Sequence, residues 1–119
     1  MSDIEMAQSK ISVIIADELR DYDPVVESIS TGAMGRPLAV EWHKDMVASF
    51  TEALVEPYIA NLALENGSET SCWVTTGETM GYCVVYVPKD DEFCLALKSA
   101  TKLQDINIRG DAIDCFGSI

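Results

Sequence analysis

SCWVTTGETMGYCVVYV, residues 71–87 of this 119-residue chain, is the stretch that decides the fold. Two runs rich in β-branched and aromatic residues, which favour strands, flank the dipeptide Gly77-Glu78. Glycine in the first position of a two-residue loop is typical of the type II′ turn that joins antiparallel strands. The stretch therefore predicts a β-hairpin with strands at Ser71–Thr76 and Thr79–Val87.

The predicted turn sets the register of this hairpin and the composition of its two faces. It places Cys72 opposite Cys83 and Trp73 opposite Tyr82, and alternate residues of a strand point to opposite faces. The first face carries thiols and valines, namely Cys72, Val74, Cys83, Val85 and Val87. The second face is aromatic and apolar and carries Trp73, Thr75, Tyr82, Val84 and Tyr86.

A second hairpin is predicted near the C-terminus. Ile106–Arg109 and Ala112–Phe116 flank Gly110-Asp111, another turn that begins with glycine. Isoleucines alternate with polar residues in the first of these runs, which is the pattern of a half-buried strand.

A helix is predicted between the two hairpins, over residues 90–103. Three acids at 90–92 favour a helix N-terminus, and lysines at 98 and 102 favour its C-terminus. Apolar residues recur at helical spacing, namely Phe93, Ala96, Leu97, Ala100 and Leu103. A strand at Phe93–Leu97 is the competing interpretation.

The first half of the chain predicts helices. Ser2 and Glu5 form a capping-box pattern before a helical apolar period, so a first helix is expected over residues 3–20. A short helix or an extended segment is expected at Val25–Ile29, and a loop is expected over residues 30–37.

The second main helix is predicted over Leu38–Leu64. Its apolar face carries Val40, His43, Val47, Phe50, Leu54, Tyr58 and Leu62. Pro57 disfavours helical geometry in the residue before it, so we expect a kink or break near Val55–Glu56. Asn66-Gly67 is expected to end this helix.

These elements together predict one α+β domain spanning residues 1–119. Their order is α-α-β-β-α-β-β, and hairpins require antiparallel pairing. We therefore expect a four-stranded antiparallel sheet, made of two hairpins, with helices packed on one face.

The charge excludes two classes of partner. Twenty acids stand against eight bases, for a net charge of −12, and such a field repels nucleic acid and anionic lipid. A basic protein partner is favoured. The sequence shows neither a signal peptide nor a run of roughly 20 apolar residues that would span a bilayer, so a cytoplasmic location is expected.

The cysteines are expected to be free thiols. Cys72, Cys83, Cys94 and Cys115 form no CxxC pair, which argues against zinc and, in a cytoplasmic protein, against structural disulfides. His43 could in principle face Cys72 and Cys83 to form a catalytic pair, and these two thiols could form a redox pair. The alternative is that all of these residues belong to the core. We expect no metal and no cofactor.

Two surfaces are candidates for binding a partner. The first is an acidic stripe on the second helix, made of Glu41, Asp45, Glu52 and Glu56. The alternative interpretation of this stripe is an ordinary solvated helix face. The second is the aromatic sheet face, made of Trp73, Tyr82, Val84 and Tyr86. The alternative interpretation is that this face is covered within the chain and belongs to the core.

The sequence favours a non-enzymatic protein-interaction module, similar to an adaptor or a chaperone, that acts as a homodimer. One alternative is an immunity or inhibitor protein that masks a basic partner. Another is a small ligand-binding protein or enzyme that uses Cys72, Cys83 and His43.

Overall fold

Four helices and five strands are present in a computed structural model, which describes residues 2–30 and 39–119. In chain order they are α1 (Asp3–Asp21), α2 (Pro24–Ser30), α3 (Val40–Ala53), β1 (Leu54–Ala63), β2 (Glu69–Thr76), β3 (Tyr82–Val87), β4 (Glu92–Lys98), β5 (Leu103–Gly110) and α4 (Ala112–Phe116). The predicted loop at 30–37 lies outside the described residues except for its first residue, which ends α2.

The five strands close into a barrel in the order β1-β2-β3-β4-β5. Consecutive strands are antiparallel, and β1 closes on β5 in parallel through the pairs Leu62–Leu103 and Ala63–Gln104. The α+β class and the antiparallel pairing are confirmed. The prediction of four strands is wrong, because β1 and β4 fall where helices were expected.

The hairpin of residues 71–87 is confirmed, but its predicted register is wrong. Trp73 pairs with Tyr86 and Val74 with Val85, so Cys72 does not lie opposite Cys83. The turn lies further along the chain, where Thr79 and Tyr82 bond each other's backbone around Met80 and Gly81. Both central residues have positive φ, 52° and 87°, as a type I′ turn requires.

The change of register does not alter which side chains share a face of this hairpin. The pairing moves by an even number of residues, and an even shift leaves each side chain on its original face. The thiol and valine face therefore points into the barrel, as its membership of the inner core shows. The aromatic face points outward, towards the helices.

The second main helix ends at Ala53, close to the predicted break, but the chain continues as β1. Leu54, Tyr58 and Leu62 are four residues apart, a spacing that would keep side chains on one face of a helix or of a regular strand. In β1 an irregularity after Leu54 breaks this regularity, so Leu54 packs against the outer core while Leu62 lies in the inner core. Pro57 lies within an irregularity of the β1–β2 register, a position that tolerates proline's missing N–H.

The predicted helix over residues 90–103 is wrong, and the competing strand is present as β4. This strand pairs with β3 on one side and β5 on the other, so its backbone groups are bonded in the sheet. The predicted strand at Ala112–Phe116 is also wrong and is α4. The Glu18 carboxylate accepts hydrogen bonds from the N–H groups of Ala112 (3.1 Å) and Ile113 (3.0 Å), which caps the helix from α1.

Apolar side chains form two cores. The inner core fills the barrel with Leu62, Cys72, Val74, Cys83, Val85, Val87, Cys94, Ala96 and Leu103. The outer core lies between the barrel wall and α1, α3 and α4, with Ile11, Ile15, Phe50, Trp73, Val84, Tyr86, Phe93, Leu95, Ala112, Ile113, Cys115 and Phe116. Among the described residues, no helix combines the length and the apolar character needed to cross a membrane.

Candidate functional site

The aromatic sheet face is covered within the chain. Trp73, Val84 and Tyr86 are buried in the outer core, and Tyr82 is half-buried against it. Side chains of α1, α3 and α4 occupy the space above them. The structure therefore brings this predicted partner-binding group together, but as core and not on the surface.

The acidic stripe is divided between two elements. Glu41, Asp45 and Glu52 lie exposed on α3 and share one helical face. Glu56 is exposed as well, but it belongs to β1. We use the name α3 ridge for Glu41, Asp45 and Glu52.

The predicted cysteine and histidine group is placed in two different layers. Cys72 and Cys83 lie in the inner core. His43 is buried in the helical layer, where its Nδ1 lies 2.6 Å from the Tyr22 hydroxyl and its ring meets Trp42 edge to face at 5.0 Å. These contacts give the imidazole a role in packing α3 against the α1–α2 connection.

The four cysteines are free and buried. Burial raises the pKa of Cys72 to about 12, of Cys83 to about 11 and of Cys115 to about 12. The pKa of Cys94 is raised further, by burial and by a hydrogen bond from its thiol to Asp105 (3.1 Å). Because the thiolate is the reactive form, these groups are poor nucleophiles. No group of three or more potential metal ligands occurs in the part of the chain that the structure describes.

We expect all four thiols to resist alkylation in the native protein. At about pH 8, a thiol with a pKa near 11 is ionised to roughly one part in a thousand. Iodoacetamide followed by intact-mass measurement should show negligible addition without denaturant and four additions in urea. Rapid native labelling of Cys72 or Cys83 would contradict the structural role of these thiols.

An ion cluster centred on Arg109 lies beside the turn between β3 and β4. Its guanidinium contacts Asp90 (2.8 Å), Glu92 (3.2 Å) and Asp105 (2.7 Å). Asp105 is only 6% exposed. Burial works to raise the pKa of Asp105, but the hydrogen bonds from Arg109, the Asn107 N–H and the Cys94 thiol outweigh burial and lower it. Each of the three carboxylates is thus paired with Arg109, and the cluster holds β5 to the β3–β4 turn.

A concave acidic surface is the most distinctive feature of the exterior. A cavity of about 400 Å³ opens between the end of α1, the helix α2 and the start of α4. Six of the nine residues that line it carry carboxylates: Asp17, Glu18, Asp21, Glu27, Asp111 and Asp114. We call this cavity the acidic groove.

Neighbouring cations only partly compensate the charge of the groove. Arg20 pairs with Asp17 and Asp21, each at 3.1 Å. These pairs are exposed and therefore weak. No lysine or arginine is among the described residues that line the groove.

Two carboxyl groups in the groove have altered acidity. Burial raises the pKa of Glu18, although the two backbone N–H bonds that it accepts oppose the change. The pKa of Asp114 is raised by burial and by the nearby charges of Asp111 and Glu27. In both cases the ionised form is disfavoured, as happens when carboxylates are crowded and partly desolvated.

The sequence did not identify this groove. Asp17 and Asp21 were visible as like charges four residues apart on one helix face, the same signal that singled out the α3 ridge. Their proximity to Asp111 and Asp114 depends on the docking of α4 by Glu18, a contact that spans more than ninety residues of sequence. No local pattern contains that information.

Comparison of the chain with protein-family models, with curated proteins and with solved structures found no match.

Proposed function

We propose that this chain is a protein-interaction domain that binds a lysine- or arginine-rich segment of a partner protein in the acidic groove. This proposal is supported mainly by the cavity of about 400 Å³, which has six carboxylates in its lining. Its concave shape distinguishes it from the α3 ridge, which is an exposed helix face. The net charge of −12 supplies long-range attraction for a basic partner.

The crowded carboxylates of the acidic groove make binding of a cation energetically favourable. A carboxyl whose folded pKa is raised contributes stability below its unfolded pKa, and this contribution is lost as the pH rises through the folded pKa. Glu18 and Asp114 are in this situation, so their ionisation at neutral pH costs folding free energy. A bound ammonium or guanidinium group offsets that cost. The same linkage means that binding weakens as the pH falls and these carboxyls take up protons.

Neutralising the groove should weaken binding more than neutralising the α3 ridge. D111N/D114N and E41Q/D45Q each remove two negative charges, so the two variants have the same net charge. With a short fluorescein-labelled lysine-rich peptide, anisotropy should give a Kd about tenfold higher for the groove variant and about twofold higher for the ridge variant. The Asp111 side chain makes no capping bond, and the first N–H groups of α4 donate to Glu18, so Asp111→Asn should leave α4 capped.

Two controls accompany this titration. The far-ultraviolet circular dichroism of both variants should match the parent, and added salt should weaken every complex because the attraction is screened. Equal losses in the two variants would mean that only the overall charge matters. That result would refute binding in the groove.

An inhibitor of a basic enzyme is the second candidate, and the same groove favours it. Such a protein would mask a positively charged active site with the carboxylates of α1 and α4. It differs from an adaptor in having one target and a much lower Kd. The raised thiol pKa values argue against the third alternative, an enzyme that uses Cys72, Cys83 and His43.

The homodimer and the cytoplasmic location belong to this proposal as well. We assign no surface to the dimer, because the aromatic face expected to form it is buried. Native mass spectrometry under reducing conditions tests it directly, since a dimer doubles the mass and a bound metabolite adds a smaller increment.

A further inference from the structure

We infer that a second cavity, at the seam of the barrel, binds a small organic anion with a flat apolar body. The cavity measures about 390 Å³ and lies between β1 and the turn from β4 to β5. It shares no residue with the acidic groove. The inference therefore stands apart from the proposed binding of a basic partner.

The seam exists because the barrel closes over a short ladder. β1 and β5 are joined by only two residue pairs, Leu62–Leu103 and Ala63–Gln104. The preceding part of β1, which includes Tyr58 and Ala60, pairs with β2 along one edge. Its other edge faces the turn from β4 to β5 and pairs with no described strand. The wall is therefore open at this place, and the cavity fills the opening.

The floor of the cavity is apolar. Val74 and Leu103 are 2% and 7% exposed and belong to the inner core of the barrel. Tyr58, which is 51% exposed, provides an aromatic side wall, and Ala60 leaves room beside it. A flat hydrocarbon or aromatic body would gain contact with both surfaces.

The rim of the cavity is positive, in contrast to the chain as a whole. Lys98 and Lys102 line it together with one acid, Glu69, for a local formal charge of +1. Both lysines are exposed, and neither has a carboxylate within ion-pair distance among the described residues. An anionic group would find two ammonium donors there without displacing an existing ion pair.

The turn that carries these lysines is held in place. The Ser99 N–H and the Ser99 hydroxyl both donate to the Lys102 carbonyl, at 2.9 and 3.1 Å. In return, the Lys102 N–H donates to the Ser99 hydroxyl oxygen at 3.3 Å. The Lys98 N–H donates to the Gly81 carbonyl at 2.8 Å. The backbone at both lysines is thus fixed before any ligand arrives, which lowers the entropic cost of binding.

The apolar floor, the aromatic wall and the two unpaired ammonium groups define the ligand class. It is a carboxylate, or another singly or doubly charged anion, on a flat hydrocarbon or aromatic ring. A neutral apolar molecule would leave the lysines unused, and an inorganic anion would leave the floor unused.

The test is a titration of the 15N-labelled protein with 2-naphthoate and, separately, with its neutral analogue 2-naphthamide. We expect 2-naphthoate to bind with a Kd of roughly 0.1–1 mM, as a compact ligand in a shallow site does. Amide shifts should be confined to β1, β2, the turn between β4 and β5, and the residues of β4 and β5 that flank this turn. The amide analogue should bind about tenfold more weakly.

Matched lysine variants separate this site from general charge attraction. K98Q/K102Q should weaken 2-naphthoate binding about tenfold, whereas K44Q/K89Q, which removes the same two charges at exposed lysines outside the cavity, should leave the Kd unchanged. Equal affinity for acid and amide, shifts outside the seam, an equal effect of K44Q/K89Q, or no binding of 2-naphthoate at millimolar concentration would each overturn the inference. None of these results depends on the acidic groove.

Discussion

Replacing Arg109 by methionine is expected to lower the free energy of unfolding by about 3–5 kcal/mol, the range measured when one partner of a buried ion pair is removed. The substitution removes the guanidinium partner of Asp105, whose side chain is only 6% exposed in the parent protein. It also frees Asp90 and Glu92 from the contacts that hold the β3–β4 turn. Urea unfolding followed by tryptophan fluorescence measures the change.

Arg20→Met is the matched control for this substitution. Arg20 also contacts two carboxylates, Asp17 and Asp21, but all three side chains are exposed, so a loss of at most about 1 kcal/mol is expected. The pH dependence adds a second check. The lowered pKa of Asp105 contributes stability above its ordinary value and loses it as the pH falls through the folded pKa. The deficit of R109M should therefore shrink in acid, and a deficit that persists unchanged there would contradict the account.

Replacing Trp73 by alanine is expected to cost about 3–5 kcal/mol of stability without changing the mass of the protein in solution. Trp73 is 9% exposed and packs in the outer core between the barrel and the helices. Truncation of a buried tryptophan removes its transfer free energy and leaves a cavity. Denaturant unfolding and native mass spectrometry on the same sample measure both quantities.

The second tryptophan provides the comparison. Trp42 is 39% exposed on α3, and its replacement by alanine should cost about 1 kcal/mol. If Trp73→Ala instead converted a dimer into a monomer at little cost in stability, the aromatic face would be an interface. Its assignment to the core would then be wrong.

The sequence predicted faces better than it predicted elements. The division of the first hairpin's side chains between its two faces was correct, because an even change of register leaves every side chain on its original face. The turn was misplaced because Gly77 and Gly81 both offer a glycine turn. Only the latter follows a residue, Met80, that adopts positive φ itself.

Helix and strand were confused where residues four apart were apolar. A spacing of four fits both the helical period of 3.6 residues and the strand period of two. It separates Leu54, Tyr58 and Leu62 in β1, and Phe93 and Leu97 in β4. What decides these segments is the strand beside them, which a local pattern does not contain. The same applies to the acidic groove, whose two halves are brought together by the cap that Glu18 places on α4.

Binding of a basic segment in the acidic groove is the central claim, and amide chemical-shift mapping tests it most directly. The 15N-labelled protein would be titrated with the lysine-rich peptide at physiological salt. The largest shifts are predicted at the end of α1, residues 17–22, and at the start of α4, residues 111–114, with small changes along the α3 ridge. Shifts that are spread evenly over the acidic surface, or concentrated at Glu41 and Asp45, would contradict the claim.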